Sequence, residues 1–564
     1  MMFDLLRRFP LPVLIALLLL AATGCFSSTG QIPEQDERIP SSAKNPRPTT
    51  AYPVERTLTA IVDPELKLVQ PGTVDDTLRF TDLRNAFLAL HDSAHTGHPA
   101  ERFELLVMPG TYRLTRPMLW VVDDGYTQWI EFSLRPYGAG EVTISGAEIY
   151  RQGDPNQPWN DLSRWEPVDD MPDSYITQWP YAWGKADISG FNDNTRDWLT
   201  GVKHPELMLR REMVLVNGTL LKQRTLEQKL MPGTFKVKDA TDDQPGWLHI
   251  QLSEPLQADD SIEIPVTQTL LTLRDFDRIE IEGIDFVHAS HFHPGKAVII
   301  SGTQSARIEN CGFNENNWRG LSIGNTPLPI DRQGPDTLEI INCRANGNGA
   351  MGMGFSNVAR LRIEDSELAW NNWRGYSAGT DAWAVGGSKL FHCHDVTVSN
   401  LHAHHNLATG LWFDTDAERV VIEDCLFETN ARDGVFIEAC QGPVDIFACI
   451  FSQNARDGLR NNSSSELTVR GCRFDRNAVA HFCLGGLSRK FTSFEDGRQL
   501  HVTGQNNLFR NNQFLGEPIW YAEEWISAKK LNNWERETRF EGNACWPYDP
   551  DHPFCQRPLP EELR

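Results

Sequence analysis

Short runs of alternating apolar and polar residues recur along the chain from about residue 278, and polar turns separate them. Alternation with a period of two is typical of β-strands that bury one face. One such run is IEDCLF at residues 422–427, and related runs return every 23 to 35 residues. This period excludes coiled-coil heptads, and the short strands exclude helical repeats. The pattern therefore predicts a solenoid whose coils each contain about three short strands.

Three positions in the repeat keep their character from coil to coil. The first is a small or apolar residue, most often cysteine, at Cys311, Cys343, Ser366, Leu401, Cys425, Cys449 and Cys472. Five residues later stands an asparagine, at Asn316, Asn348, Asn371, Asn406, Asn430, Asn454 and Asn477. Nine residues after the first six reference positions stands a glycine, at Gly320, Gly352, Gly375, Gly410, Gly434 and Gly458. In coils stacked about 4.8 Å apart, the asparagines predict a ladder of amide hydrogen bonds, and the cysteines predict small, buried, unbridged side chains.

The asparagine ladder and the I-x-x-C-x-F runs resemble the repeats of right-handed parallel β-helix proteins, the pectate-lyase-like family. The resemblance covers roughly residues 80–150 and 270–520. It implies an all-β fold, a right-handed parallel β-helix solenoid, in an extracellular family whose members often cut or modify polysaccharides. The NTD, GHG and RIK motifs of the polygalacturonase members are absent from the sequence, so pectin hydrolysis is not supported.

The segments beside the repeats predict the remaining elements. FTDLRNAFLAL (80–90) has apolar residues at helical spacing and predicts an N-terminal capping helix. Asn217-Gly218 predicts a hairpin turn in a β-rich insertion, and Cys545 and Cys555 are placed to close a short disulfide loop. The chain divides into a lipoprotein signal peptide (1–24), a disordered tether (25–55), an N-terminal cap with the first coils (56–150), a β-rich tryptophan-containing insertion (151–270), the β-helix repeats (271–520) and a C-terminal cap or tail (521–564).

The N-terminus has the pattern of an export signal. Arg7 and Arg8 precede the apolar run PVLIALLLLAA, which is short for a membrane-spanning helix. The following Ala-Thr-Gly-Cys at 22–25 resembles the lipobox of bacterial lipoproteins, which implies cleavage before Cys25 and lipidation of its sulfur. The uncharged Phe26 points to the outer membrane of the cell envelope. Ordinary secretory cleavage is the alternative.

Composition narrows the class of partner. The 564-residue chain has 40% hydrophobic residues and a net charge of −23, so it can bury a core but offers no basic surface for nucleic acid. The same charge mildly disfavours a strongly anionic polymer unless a cation bridges it to the protein. Together with the resemblance, this predicts a polysaccharide or oligosaccharide partner, a membrane contact through the lipid on Cys25, and a monomer.

The strand after each repeat glycine places its outward side chains in columns. Two adjacent columns follow from the period of two, namely Asp414, Glu438 and Asn462 in one and Trp412, Phe436 and Arg460 in the other. In earlier coils the same columns hold glycine and serine, among them Ser377 and Gly379. We therefore expect an exposed groove for an extended polymer, with a bare floor beside a functional cluster.

Asp414 and Glu438 are the predicted catalytic residues. On adjacent strands their Cα atoms would lie on the order of 5 Å apart. Two carboxylates that close do not both ionise readily, so one pKa rises, and the pair then supplies the acid and base that glycoside hydrolysis needs. Asp416, two residues further on, is the substitute for the second acid. The predicted substrate-binding residues are Trp412, Phe436, Arg460, Asn462 and Lys389.

Other uses of this cluster stay open. Lys389 or His392, in the insertion at 376–395, would be the base of a polysaccharide lyase or epimerase. Ca²⁺ held by the acids and Asn462 would relieve their repulsion, although we predict no required cofactor. A non-catalytic glycan-binding or scaffold lipoprotein would leave this face flat or covered. The histidines at 402–405 match no dedicated zinc motif, so we predict no metal site there.

Overall fold

The chain forms a parallel β-helix of three sheets, here called A, B and C, and each coil contributes its strands in that order. The computed structural model describes residues 56–65, 77–96, 100–122, 129–153, 161–179, 181, 183–186, 204–241, 243–292, 295–324, 337–376, 385–493, 496–524 and 526–563. The predicted signal peptide and tether lie outside these residues.

Sheet A is the longest of the three. It contains Thr57–Val62, Thr77–Phe80, Arg102–Val107, Glu131–Pro136, Arg278–Glu282, Ser305–Glu309, Thr337–Ile341, Leu361–Glu364, the second half of Gly386–Ser399, Glu418–Glu423, Val444–Phe447, Leu467–Arg470, Leu508–Arg510 and Arg539–Glu541. All of these strands pair in parallel, as the stacking of coils requires.

Sheets B and C complete each coil. Sheet B contains Gly110–Arg113, Val142–Ser145, Ile284–Val287, Gly312–Asn314, Arg344–Asn346, Glu367–Ala369, His402–His404, Leu426–Glu428, Ile450–Ser452, Arg473–Asp475, Gln513–Leu515, Ala544–Trp546 and Arg557–Pro558. Sheet C contains Met118–Val121, Leu271–Arg274, Val298–Ser301, Arg319–Gly324, Met351–Val358, the first half of Gly386–Ser399, Leu411–Asp414, Val435–Glu438, Asp457–Asn462, Ala480–Gly486 and Trp520–Ala522.

The interior columns confirm the sequence prediction. Nδ2 of Asn406 donates to Oδ1 of Asn430 at 2.9 Å, and Nδ2 of Asn430 donates to Oδ1 of Asn454 at 3.0 Å. The same bond links consecutive asparagines from Asn316 to Asn477. The repeat cysteines are buried free thiols. Because each ladder amide is buried and hydrogen-bonded on both sides, the ladder holds the register of every strand in the repeat.

Both ends of the helix are covered. Helix Leu83–His95 begins after Asp82, whose side chain accepts from the backbone N–H of Asn85, and its Phe87 packs on Trp120. At the other end, helix Ala528–Glu537 places Trp534 against the last coils. Parallel pairing continues past residue 520, so the C-terminal segment adds coil strands as well as a cap. The predicted Cys545–Cys555 disulfide is present.

The insertion between sheet B strand Val142–Ser145 and sheet C strand Leu271–Arg274 forms two antiparallel-rich sheets. Its elements are Ala147–Tyr150, Leu162–Arg164 (3₁₀), Glu166–Pro167, Ser174–Trp179, Pro205–Met208 (α), Leu215–Val216, Thr219–Leu220, Lys222–Gln223, Thr234–Lys238, Gly246–Gln251 and Ile262–Pro265. The predicted Asn217-Gly218 hairpin is confirmed, since both residues have positive φ between paired strands. Arg374 of the repeated NNWRG sequence fastens the insertion by donating to the carbonyl oxygens of Leu207 and Glu212.

Two smaller elements complete the chain. Strands Arg489–Thr492 and Gln499–Val502 pair as an antiparallel hairpin, here called the cover hairpin, and a 3₁₀ turn spans Glu561–Leu563. Among the residues described, no helix combines the length and apolarity that a membrane crossing requires.

Candidate active site

Sheet C stacks the predicted site residues in the predicted register. The strand partners are Asp414 with Glu438, Glu438 with Asn462, Trp412 with Phe436 and Phe436 with Arg460. The rings of Trp412 and Phe436 stack with their centroids 5.1 Å apart. The two columns are therefore confirmed, and the carboxylate pair, Asp414 and Glu438, lies one strand spacing apart, about 4.8 Å between neighbouring backbones.

The expected exposed groove is wrong. Asp414 is 1% exposed, Glu438 is 7% exposed, and Trp412 and Phe436 are buried. Two basic side chains cover the acids: Lys389 of the preceding coil lies on Asp414, and Arg489 of the cover hairpin lies on Glu438. The site is an enclosed cluster of charged and aromatic groups rather than an open floor.

The expected floor of glycine and serine is also wrong in the coil that precedes Asp414. Gly387, not Gly375, takes the repeat glycine position, because the chain inserts residues before strand Gly386–Ser399. As a result Lys389 pairs with Trp412, and Phe391 pairs with Asp414. Ser377 and Gly379, which we placed in these columns, lie outside the described residues. Lys389 thus joins the site as a strand residue rather than as part of a wall.

Lys389 connects the aromatic and acidic columns. Its Nζ lies 2.7 Å from Oδ2 of Asp414 and 3.7 Å from the centroid of the Trp412 ring. The other oxygen of Asp414 accepts a hydrogen bond of 2.8 Å from the hydroxyl of Thr415. The cation and the hydroxyl on its two oxygens hold this buried carboxylate in one orientation.

Glu438 has a different environment. Nη1 of Arg489 donates to its Oε1 at 2.6 Å, and Nδ2 of Asn462 lies 3.5 Å from the same oxygen. Burial, followed by the neighbouring charge of Asp414, raises the pKa of Glu438 to about 7, although Arg489 and Lys389 oppose the rise. At neutral pH this carboxyl group can therefore hold a proton.

Asp416 does not join the pair, which corrects the prediction that it points the same way. Its φ of +63° turns the chain at the end of the strand. Its carboxylate instead accepts from Gln441 at 2.8 Å and lies 3.5 Å from Nε2 of His394. His392, the possible base of a lyase, is half-buried near these acids, and desolvation lowers its pKa to about 4.

The calcium alternative is not favoured by these contacts. The oxygens of the carboxylate pair are directed at Lys389 and Arg489, and those of Asp416 at His394 and Gln441. Oxygen ligands for Ca²⁺ need to converge on one point. Here they are distributed among separate partners.

Arg460, a predicted substrate-binding residue, is engaged in an ion pair in this arrangement. Its Nη2 donates to Oε1 of Glu523 at 2.7 Å, and the side chain is 4% exposed. Its guanidinium carbon lies 5.4 Å from the Phe436 ring centroid, so it packs on the aromatic column from the next strand of sheet C. The substrate contact predicted for Arg460 would require this ion pair to break.

A second acidic pair, Asp433 and Asp457, escaped the sequence reasoning. Both residues immediately precede a repeat glycine, and both are almost completely buried beside the aromatic column. Burial and the charge of Asp433 raise the pKa of Asp457 to about 7, and the hydroxyl of Tyr521 donates to Asp457 at 3.2 Å. The available signal was the sequence NARDG, which occurs at 430–434 and again at 454–458 and places an aspartate before each glycine.

A small pocket connects the second acidic pair to the stacked rings. Its lining is formed by Val385, Ala408, Thr409, Trp412, Arg432, Asp433 and Phe436. The indole Nε1 of Trp412 is buried and finds no hydrogen-bond acceptor among the described residues. The pocket therefore combines aromatic side chains with a few polar groups, the composition that small-molecule sites use.

Comparisons with known proteins agree with the fold. Residues 296–474 match the family model described as "Right handed beta helix region". No curated protein sequence matches the chain. A solved structure of XylC in complex with xylose superposes with a TM-score of 0.57 at 16% identity and covers 87% of this chain and 83% of XylC.

Two further structures are more distant. A glycoside hydrolase gives a TM-score of 0.47 at 10% identity, covering 87% of this chain and 96% of its own. The A-module of Azotobacter vinelandii mannuronan C-5 epimerase AlgE4 gives 0.41 at 11% identity, covering 85% and 94%. At these identities the likeness is one of fold. Residues 296–474 match the right-handed β-helix family, and the chain has the right-handed parallel β-helix fold.

Proposed function

We propose that the protein is a retaining glycoside hydrolase in which Asp414 is the nucleophile and Glu438 is the general acid and base. The observation that carries the proposal is the carboxylate pair on adjacent strands with unequal surroundings. Asp414 is paired with Lys389 at 2.7 Å, whereas burial raises the pKa of Glu438 to about 7. Asp414 is thus held in place as the nucleophile, and Glu438 can donate a proton.

The chemistry balances in two steps. In the first, a carboxylate oxygen of Asp414 bonds to the anomeric carbon while the bond to the glycosidic oxygen breaks, and Glu438 gives its proton to that oxygen. In the second, Glu438 removes a proton from water, the water oxygen bonds to the anomeric carbon, and Asp414 is released. The backbones of the two strands lie about 4.8 Å apart. This spacing favours the short separation between carboxyl groups in retaining enzymes, about 5–5.5 Å, over the 6.5–9.5 Å of inverting enzymes.

The substrate we infer is the end of a short oligosaccharide. The pair is enclosed, so a sugar ring reaches it only when the Arg489 side chain leaves Glu438. Arg489 lies on the cover hairpin, and about one-quarter of its side chain is exposed. Its described contact with the site is the ion pair with Glu438. The faces of the two stacked rings already contact Lys389, each other and Arg460, so Trp412 would contact the sugar through its Nε1, which would donate to a hydroxyl.

Hydrolysis of a panel of oligosaccharides tests this function. Xylo-oligosaccharides and 4-nitrophenyl xyloside are the first substrates, because XylC, which shares the fold, was solved with xylose. We expect product from the wild type and a loss of about 10³-fold or more in Asp414→Asn and Glu438→Gln. Asp445→Asn, a half-buried acid on the sheet A strand of the next coil, is the matched control and keeps activity. Absence of product from every substrate, or full activity of Glu438→Gln, contradicts the proposal.

A lyase or epimerase is the second candidate. Lys389 and Arg489 place two cations beside the reacting groups, and such cations would bind the carboxylate of a uronic acid. On uronate polymers a lyase forms an unsaturated product that absorbs in the ultraviolet, whereas an epimerase changes the sugar without cleaving the chain. A protein that binds a glycan without changing it would show affinity in calorimetry and neither product, which would identify the non-catalytic alternative.

We also propose that the enzyme is anchored in the cell envelope through lipid on Cys25, at the outer membrane of a host that has one. The support is the lipobox-like sequence at 22–25 after a basic and an apolar segment. Metabolic labelling with a fatty acid should mark the wild type and not Cys25→Ser. Equal labelling of both proteins would contradict the anchor.

A further inference from the structure

A cluster of histidines and glutamates lies on sheet B, apart from the carboxylate pair on sheet C. Glu367 pairs with His402 across adjacent strands, and His404 pairs with Glu428 across the next. His402 and His404 are two residues apart on one strand, so their side chains leave the same side of the sheet. Three consecutive coils therefore direct imidazole and carboxylate groups to one place.

The donor atoms are close together. A ring nitrogen from each histidine and an oxygen of Glu367 all lie within 4.8 Å of one another. Nε2 of His404 is 3.0 Å from Oε1 of Glu367, and Nε2 of His402 is 3.0 Å from Oε1 of Glu428. The two imidazole rings stack with centroids 4.0 Å apart. The nitrogens and the carboxylates thus already face each other without an ion.

Solvent reaches the cluster, and a neighbouring side chain orients one of its histidines. The side chain of His404 is 13% exposed and that of His402 is 38% exposed, so an ion can enter from solvent. Nδ1 of His404 lies 2.8 Å from Nδ1 of His405, and such a contact on the second ring nitrogen holds an imidazole that binds metal through the first. The ring of Trp370 stacks on His405 from outside.

We propose that Glu367, His402 and His404 bind a divalent transition-metal ion, with Glu428 as a fourth ligand, and that Zn²⁺ suits them best. Two imidazoles with carboxylate oxygens form a common zinc ligand set, with bonds of about 2.0–2.2 Å. The ion would replace the histidine–glutamate hydrogen bonds and join three coils. Binding of the ion would therefore stabilise this part of the β-helix, and the stabilisation would grow with the concentration of free ion.

The structure explains why the sequence predicted no metal here. The histidines at 402–405 match no zinc spacing by themselves. The third ligand, Glu367, lies 35 residues before His402 and reaches the site only because the coils stack in register. A motif that joins neighbouring coils is invisible to a search for short ligand spacings.

Calorimetric titration of tag-free, chelator-treated protein with ZnCl₂ tests the site, and Co²⁺ absorption in the visible range reports its geometry. We expect one strong site in the wild type and a loss of about tenfold or more in affinity for His402→Ala, His404→Ala and Glu367→Gln. Zn²⁺ should raise the Tm of the wild type and not that of these variants. Glu367→Gln keeps the side-chain shape, so its far-UV spectrum and metal-free Tm show that lost binding is not lost folding.

Two control variants separate this site from other histidines. His501→Ala changes an exposed residue of the cover hairpin and should bind as the wild type does. His91→Ala disrupts a histidine pair on helix Leu83–His95, whose tilted rings, His91 and His95, have centroids 4.1 Å apart. The proposal is overturned if the wild type binds no Zn²⁺ at micromolar concentration, or if His91→Ala rather than His404→Ala removes binding and the Tm shift.

Discussion

Replacing Glu438 with glutamine removes a buried carboxyl group whose pKa rises from 4.5 to about 7 on folding. The folded state holds this proton more tightly than the unfolded chain does. Glu438 therefore contributes stability that is fully present below pH 4.5 and is lost as the pH rises through 7. Each pKa unit corresponds to about 1.36 kcal/mol, so the total loss is about 3 kcal/mol.

Glu438→Gln has no such proton to lose. Its stability relative to the wild type should rise by about 3 kcal/mol between pH 4 and pH 8.5. Unfolding entropy of about 2.1 cal/mol/K per residue gives about 1.2 kcal/mol/K for 564 residues, so the Tm difference should grow by about 3 °C. Differential scanning fluorimetry of both proteins from pH 4 to pH 8.5 measures this Tm difference.

The matched control is Glu466→Gln, an exposed glutamate on a nearby turn. Its Tm difference from the wild type should stay constant with pH. A constant difference for Glu438→Gln as well would refute the reasoning, because it would mean that the carboxyl group titrates alike in the folded and unfolded states. A Tm difference that shrinks as the pH rises would also refute it, because the pKa of Glu438 would then be lower in the folded state than in the unfolded state.

Three further variants test other parts of the structure. Arg489→Ala removes the cation that opposes the rise in the Glu438 pKa, so the alkaline limb of the pH–rate profile should move to higher pH, whereas Lys490→Ala should leave it in place; a shift to lower pH would contradict the assignment. Asp457→Asn removes a second carboxyl group with a pKa of about 7, and it should gain stability relative to the wild type as the pH rises from 4 to 8; a flat difference would count against the second acidic pair. Asn430→Ala leaves the amide of Asn406 and the carbonyl of Ala403 without their ladder partner, which should cost about 3 kcal/mol in chemical denaturation; a cost near zero would show that the ladder does not stabilise the coils.

The repeat made the fold predictable because its columns are physical constraints. An asparagine at 24-residue spacing has one partner above and one below, so Asn406, Asn430 and Asn454 determine which strands pair and in which register. The pairing of Asp414 with Glu438 follows directly from that register. Capping helix, hairpin turn and disulfide were predictable for a similar reason, since each depends on residues close in sequence.

The surroundings of the pair were not predictable from the repeat. Lys389 follows an insertion that breaks the spacing of its coil, and Arg489 is the first residue of the cover hairpin, which is inserted after strand Ala480–Gly486. Neither position is related to Asp414 or Glu438 by the period of the repeat. The sequence therefore predicted the columns and missed their cover, and with it the burial that raises the pKa of Glu438.

The most direct test of the central claim is mass spectrometry of Glu438→Gln after reaction with a dinitrophenyl glycoside of an accepted sugar. This leaving group departs without an acid, while release of the sugar from the enzyme still needs the missing base. We predict an adduct of one glycosyl unit that maps to the peptide containing Asp414 and is absent from Asp414→Asn. An adduct on another residue, or no adduct from a sugar that the wild type hydrolyses, would contradict the assignment of Asp414 as nucleophile and Glu438 as acid and base.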